Sequence, residues 1–290
     1  MTLLLFIEQV LNGLQLGTML FLMAAGLTLV FGIMHLINLA HGSLYMIGAY
    51  VAATVQQATG SFTLGLLAAL PAAALTGMAM EAIALRRLYD RDHLDQVLAT
   101  FGLILFFNEL VKIVWGPQAY FMAVPAALSG SVEILPGAPY PAYRLAIVAT
   151  GIAAALFLYL LITRTRIGML IRAGATNREM VNALGVNVDR LYMLVFGLGA
   201  ALAGLAGVMA GPLLALEVGM GENILILAFV VIVIGGIGSV RGAFVAALLV
   251  GLADTFGRVL LPGALSEMTI YILMAAILVW RPQGLFPAHA

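Results

Sequence analysis

Residues 9–50 read QVLNGLQLGTMLFLMAAGLTLVFGIMHLINLAHGSLYMIGAY without one Asp, Glu, Lys or Arg, and the charge-free run continues to Met80. A helix needs only about 20 apolar residues to cross the hydrocarbon core of a bilayer, so this stretch alone can hold three crossings. The rest of the chain has the same character. Of 290 residues 63% are hydrophobic and 9% charged, and the mean hydropathy is +1.12, whereas a soluble domain carries about 25% charged residues. The expected fold is an all-α, polytopic integral membrane bundle.

Further apolar runs divide the chain at roughly 10–33, 43–57, 62–85, 96–115, 143–163, 190–214, 222–240, 242–262 and 266–281. Eight or nine spans fit. The runs at 43–57 and 266–281 are at the short end for a crossing, and a broken or re-entrant segment is expected near 34–43. Glu8 precedes the first run and no Lys or Arg does, so the basic flank of a cleavable signal is missing; residues 1–35 read as retained membrane helix. The whole chain, 1–290, reads as a single transmembrane domain.

Lys plus Arg equals Asp plus Glu at 13 each, and there is no cysteine. The balance gives no reason to expect a nucleic-acid partner, and the missing thiol excludes disulfides, thiolate metal sites and a cysteine nucleophile. Cationic loops stay on the cytoplasmic side. Arg86, Arg87 and Arg91 fall in one such loop, and Arg164, Arg166, Arg172, Arg178 and Arg190 in or beside another, while 116–143 has no Lys or Arg and faces outward. Nine crossings then place the N-terminus outside and Arg241 and Arg281 inside.

Leu39–Leu44 is echoed 200 residues later by Ser239–Phe244. Two readings stand: a same-direction duplication, which in transporters puts the pathway near the repeat interface, or chance similarity between glycine-rich apolar stretches. Gly197, Gly199, Gly204, Gly207 and Gly211 recur along one run and read as close helix packing.

The longest polar loop, about 164–190, reads as amphipathic helix from Arg172 to Leu184, stopped by Gly185. Such a helix either docks a partner or lies on the membrane surface. Met34–Ser43 concentrates His35, Asn38, His41 and Ser43 between apolar runs; in lipid these groups must face protein or water. They line a pathway or cap helix ends. His35 and His41, six apart, are poorly spaced for one metal ion, and no metal site is expected. Glu109 with Lys112 and Asp254 with Arg258 read as helical ion pairs; a gating role is the sharper reading of the second. Glu217 and Glu222 flank an outward-facing turn, as solvated acids or as contacts for a docked protein.

Glu179 followed by Gly185, Leu191 and Tyr192 resembles a degenerate form of the cytoplasmic EAA loop of ABC import permeases, with Met180 and Val181 where two alanines are expected. Gly26–Gly32 (GLTLVFG), Asn38–Ser43 (NLAHGS), Gly235–Ser239 (GGIGS) with Arg241 and Gly242, and Trp280–Phe286 (WRPQGLF) together resemble, nearly end to end, the LivH-type permeases of the branched-chain amino acid importer family. The resemblance implies a permease subunit in the bacterial inner membrane, where the outward N-terminus counted from the cationic loops would be periplasmic. Branched-chain amino acids or related solutes, such as urea, amides and aromatic acids, are its expected cargo. The implied partners are a second related permease, two ATPase subunits and a periplasmic binding protein. The chain has no G-x-x-x-x-G-K-[ST] phosphate loop, so no cofactor is expected in it, and ATP and Mg belong to the ATPases. Arg172, Thr176, Asn177, Arg178, Glu179, Ala183 and Gly185 are the candidate ATPase-coupling residues. His35, Asn38, His41, Ser43 and Arg241 are the candidates for the translocation path, and Glu217 and Glu222 for the binding-protein contact. No catalytic residue is expected.

The alternative is an ion-coupled secondary transporter or channel, for which Glu109 and Asp254 are the intramembrane acids and each has its own cation. An intramembrane enzyme built on His35, His41 and Asp254 would lack an H-E-x-x-H or nucleophile-elbow signature.

Overall fold

Backbone N–H and C=O groups in lipid must be satisfied inside the protein, and an α-helix does so within one segment. The computed structural model describes residues 3–135 and 138–286, and these are almost entirely helical. Helices α1 (Leu3–Met34), α2 (His41–Thr59), α3 (Phe62–Ile83) and α4 (His93–Trp115) precede a small antiparallel hairpin, β1 (Ser131–Leu135) and β2 (Ala138–Pro141). Then come α5 (Ala142–Arg164), the short α6 (Arg166–Thr176) and α7 (Arg178–Ala183), α8 (Val188–Ala210), α9 (Met220–Gly235), α10 (Val240–Leu260) and α11 (Gly263–Trp280). Among the described residues, α1, α3, α4, α5, α8 and α10 are long and apolar enough to cross a membrane, and α9 and Leu265–Trp280 are shorter apolar helices. The polytopic bundle expected from composition is present.

Two helices fall short of a simple crossing because the chain doubles back before each. After Met34 the non-helical residues 35–40 return along α1, so that α2 starts beside Gly26, where a Cβ would lie 2.8 Å from His41 Nε2. Gly26 is about 12 Å from the end of α1 at 1.5 Å per residue, and it faces Gly199 at the midpoint of α8. After Ala210, residues 211–219 descend in the same way and start α9 against Gly42. The break expected near 34–43 is therefore real, and it has an unexpected twin.

The packing reveals why. α1 packs chiefly on α10 as α3 packs on α8, α2 lies on α3 and α8 as α9 lies on α10 and α1, and α1 crosses α8 while α2 meets α9. Every partnership survives the exchange of α1, α2 and α3 for α8, α9 and α10. Since α1 and α8 run antiparallel, with Tyr192 near the start of α8 donating to Ile33 O near the end of α1 at 3.3 Å, the two units are inverted copies. The same-direction echo of Leu39–Leu44 in Ser239–Phe244 is corrected accordingly: the first leads into a helix starting at mid-depth, the second into α10, which starts at the membrane edge with Ser239 Oγ accepting from Gly242 N at 3.1 Å.

Small residues make the crossings possible. Gly26 meets Gly199, Gly48 meets Gly204, and Gly207 meets Tyr45 O, each so closely that a Cβ would overlap backbone. The glycines of α8 are thus helix-packing positions, as their recurrence suggested. All cations except Lys112, Arg144 and Arg258 collect at the end of the bundle where α1, α3, α5, α9 and α11 finish; we call this end the basic face. The hairpin lies at the opposite face, where Tyr140 Oη and Arg144 both donate to Asn12 Oδ1 at 3.0 and 2.6 Å.

Candidate translocation site and coupling surface

The amino-terminal ends of α2 and α9 converge deep in the bundle. Asn38 Oδ1 accepts from Ala40 N at 3.0 Å and turns the chain into α2, and Gly219, at φ 87°, does the same for α9 through backbone freedom. At the junction Gly42 and Gly221 touch, and Ser43, Asn108 and Glu222 line a small gap beside them. Asn108 Nδ2, from α4, donates to Glu222 Oε1 at 2.8 Å. Ser43 is buried. Two half-helix N-termini pointing at one place form a positive focus, and the carboxylate of Glu222 stands at its edge. Charges of both signs thus flank a gap of about 10 Å³, room for roughly one water.

Asn38 and His41 are fully buried here, and Asn38 Nδ2 and both His41 ring nitrogens lack a partner among the described residues. Buried polar groups are nearly always bonded, so the break concentrates unsatisfied polarity where α2 begins. Asn38, His41 and Ser43 lie at mid-depth, where His41 meets Gly26 and Gly42 meets Gly221. His35 alone stays at the basic face, with φ 50°, the one non-glycine positive φ among the described residues. Glu217 remains toward the opposite face, next to Leu216, whose backbone pairs with Tyr120 and whose carbonyl accepts from Tyr50 Oη at 3.2 Å. Glu222 does not stay there: the inward return of residues 211–219 carries it to the junction, which corrects its placement at an outward turn.

The expected single helix from Arg172 to Leu184 is two helices. Asn177 is extended (φ −153°, ψ 97°), ends α6 and caps α7 by accepting from Met180 N at 2.9 Å. Asparagine's preference for capping outweighs continuation. Gly185 has φ 86° and stops α7 as expected. Glu179, Ala183 and the large side chains of Met180 (58% exposed) and Leu184 (76%) present themselves to solvent, while Val181 is buried.

Arg178 anchors this loop. Its guanidinium lies over the rings of Tyr89 and Tyr192, 5.8 and 5.4 Å from their centres, and within 4.0 and 3.9 Å of Asp90 and Asp189. Tyr89 Oη donates to buried Glu81 at 2.8 Å and Arg86 grips the same carboxylate at 2.9 and 3.2 Å, so that hydrogen bonding holds the Arg86 guanidinium above its ordinary pKa. Burial, with the Glu81 charge second, pushes the Tyr89 phenol up. From α4, Gln96 accepts from Ile37 N at 3.4 Å and donates to Leu88 O and Arg91 O. Arg178, the end of α1 and the return segment 35–40 thus belong to one connected cluster. Sequence reasoning missed Glu81, Tyr89, Gln96 and Asn108; the polar Asn108 inside an apolar run was the available signal for the last.

Arg172, Thr176, His35 and Arg241 go elsewhere, to a crevice between α5, α6 and α10. The ion pairs read from spacing are formed, Lys112–Glu109 at 2.6 Å and Arg258–Asp254 at 2.8 Å. No group of three or more metal-ligating side chains occurs among the described residues.

Comparison with known proteins agrees with this architecture. The family described as branched-chain amino acid transport system / permease component matches residues 9–278. The high-affinity branched-chain amino acid transport system permease protein BraD of Pseudomonas aeruginosa is 31% identical, the alignment covering 97% of this chain and 95% of BraD. LivH of Escherichia coli K12 is 30% identical with the same coverage. LivM of Salmonella typhimurium, also a permease protein of such a system, is 27% identical over 92% of this chain and 67% of its own length. With a match extending through both inverted units and the loop between them, the chain belongs to the permease component family of branched-chain amino acid transport systems.

Proposed function

We propose that this chain is one permease subunit of an ATP-driven importer and that its solutes are branched-chain amino acids or close relatives such as amides, urea or aromatic acids. The observation that carries the reading is the meeting of α2 and α9 at mid-depth between inverted repeats. In transporters the solute site lies at such an interface, where half-helix N-termini face anionic groups of the solute. The converging N-termini suit a carboxylate, and Glu222 beside them suits an ammonium.

The energy comes from other subunits. Two ATPases, holding ATP and Mg, grip the basic loop through Met180, Leu184 and Glu179. Arg178 passes that movement to Tyr89 and Tyr192, and from there to Ile33, Met34 and the segment that carries α2. A binding protein delivers solute at the opposite face near Glu217. The similarity of this chain to both LivH and LivM supports pairing with a second, related permease. By the positive-inside rule the basic face is cytoplasmic, the N-terminus periplasmic and the membrane the bacterial inner one.

Inverted repeats with broken helices also occur in ion-driven transporters, which is the competing reading. Glu109 and Asp254 are each paired with a cation, which leaves them poorly suited to carry a coupling proton; Glu222, whose partner is the neutral Asn108, is the acid such a transporter would use. Reconstitution separates the two: uptake into proteoliposomes is expected only when the co-purifying ATPases and ATP are supplied. Uptake by this chain driven by an ion gradient alone would reject the proposal.

A further inference from the structure

A second space, lined by α1, α5, α6 and α10, lies toward the basic face. It measures about 1190 Å³, beyond the roughly 300–1,000 Å³ typical of small-molecule pockets. Its walls are apolar, with Phe21 from α1, Ile152 and Leu156 from α5, and Phe244 from α10. Ile152 and Leu156 are also 53% and 57% exposed, so the space opens sideways along the bundle surface.

The polar groups are arranged by depth. Arg172 and Arg241 stand at the basic-face rim: Arg241 lies over the Tyr159 ring at 5.4 Å, Arg172 donates to Ile162 O, and neither has a carboxylate within 4 Å among the described residues. Farther in, Thr28 is buried and its hydroxyl has no partner among the described residues, although the residue forms part of the wall. Thr28 is about 10 Å along α1 from His35 at 1.5 Å per residue, below a headgroup layer of roughly 5–7 Å per leaflet.

From this order, cations at the rim, a free hydroxyl beneath and an apolar interior, we infer that the crevice is a binding site for one anionic phospholipid of the leaflet at the basic face. The phosphate is held between Arg172 and Arg241, and the acyl chains run past Thr28 against α5 and α10. Basic pockets between membrane helices on the cytoplasmic side take anionic headgroups in this way. An amino acid is a poor occupant, since no Asp or Glu among the described residues lines the space to meet its ammonium. The site is independent of the translocation junction.

The assembly as extracted in mild detergent is exchanged into nanodiscs containing phosphatidylcholine with or without phosphatidylglycerol, and retained lipid is counted by native mass spectrometry. One phosphatidylglycerol per chain is expected, with a preference over phosphatidylcholine that falls about fivefold for each guanidinium removed. Arg172→Gln with Arg241→Gln should abolish the preference, and the paired Lys substitutions should keep it. Val245→Trp, which fills the crevice and leaves the rim intact, should lower occupancy by either lipid. Equal retention of the two lipids by the native chain, or an unchanged preference in the double Gln variant, overturns the inference. So does efficient crosslinking of Leu156→Cys to a second permease with no lipid retained, which would show that protein fills the space.

Discussion

Gly42 at the start of α2 and Gly221 at the start of α9 occupy one another's Cβ space: a methyl on either would overlap the carbonyl oxygen of the other. The inverted units touch here with nothing between their backbones. Gly42→Ala or Gly221→Ala must force the half-helices apart, and overpacking of this kind costs about 1–3 kcal/mol, occasionally more. Either variant should unfold at lower temperature in detergent and lose most uptake. Gly102→Ala is the control, because nothing lies within 4 Å of that position and its effect should stay within about 0.5 kcal/mol. Equal stability of all three variants would mean that the junction is not closed.

Glu81 is fully buried, whereas the side chain of Arg86 is 35% exposed, although they form one bidentate pair. The two truncations should therefore differ. Arg86→Ala strands a buried carboxylate with only Tyr89 Oη as donor, a loss of about 3–5 kcal/mol. Glu81→Ala leaves a guanidinium that can turn to water, and should cost less. The double variant should be more stable than Arg86→Ala alone. Thermal unfolding of the four proteins checks the order, and equal losses in the two single variants would contradict it.

The fold class was legible because 72 charge-free residues from Gln9 to Met80 have one stable home, and because loop cations mark a face. The break at 35–40 was legible from polar residues clustered in an apolar context. Its twin at 211–219 was not: Gly211, Pro212, Gly219 and Gly221 read as an ordinary surface turn, and only packing against α2 shows that the turn descends to mid-depth. The inverted relation was equally hidden, since Gly42 and Gly221 share backbone geometry and not a sequence motif. The split of the loop helix at Asn177 depended on a side-chain cap that amphipathic spacing does not report.

Glu222 meets Asn108 at 2.8 Å at the edge of the junction. Glu222→Gln keeps the acceptor for Asn108 and removes the charge, so packing should be unaffected. A bond from an ammonium to a charged acceptor is worth about 1 kcal/mol more than to a neutral one, and uptake at low solute concentration should fall about fivefold while ATPase activity with the binding protein is retained. Transport of an uncharged solute analogue should change much less. Loss of ATP hydrolysis in this variant would place Glu222 in the coupling route instead.

Arg178 sits between the rings of Tyr89 and Tyr192 with Asp90 and Asp189 at its flanks, and Tyr192 reaches Ile33 O at the end of α1. If the loop transmits the ATPase stroke, this clamp must be stiff. Arg178→Ala should insert normally and retain the ATPases yet hydrolyse ATP without proportionate uptake, lowering solute moved per ATP by at least about tenfold, the ratio that corresponds to about 1.4 kcal/mol. Arg178→Lys should fall between, because an ammonium keeps the charge and loses the planar stacking of guanidinium on the rings. Glu179→Arg and Gly185→Pro act on the proposed docking surface, so they should weaken ATPase retention itself, which a pull-down resolves from uncoupling. Uptake and hydrolysis that remain proportional in Arg178→Ala would remove the clamp from the mechanism even if the loop is the docking site.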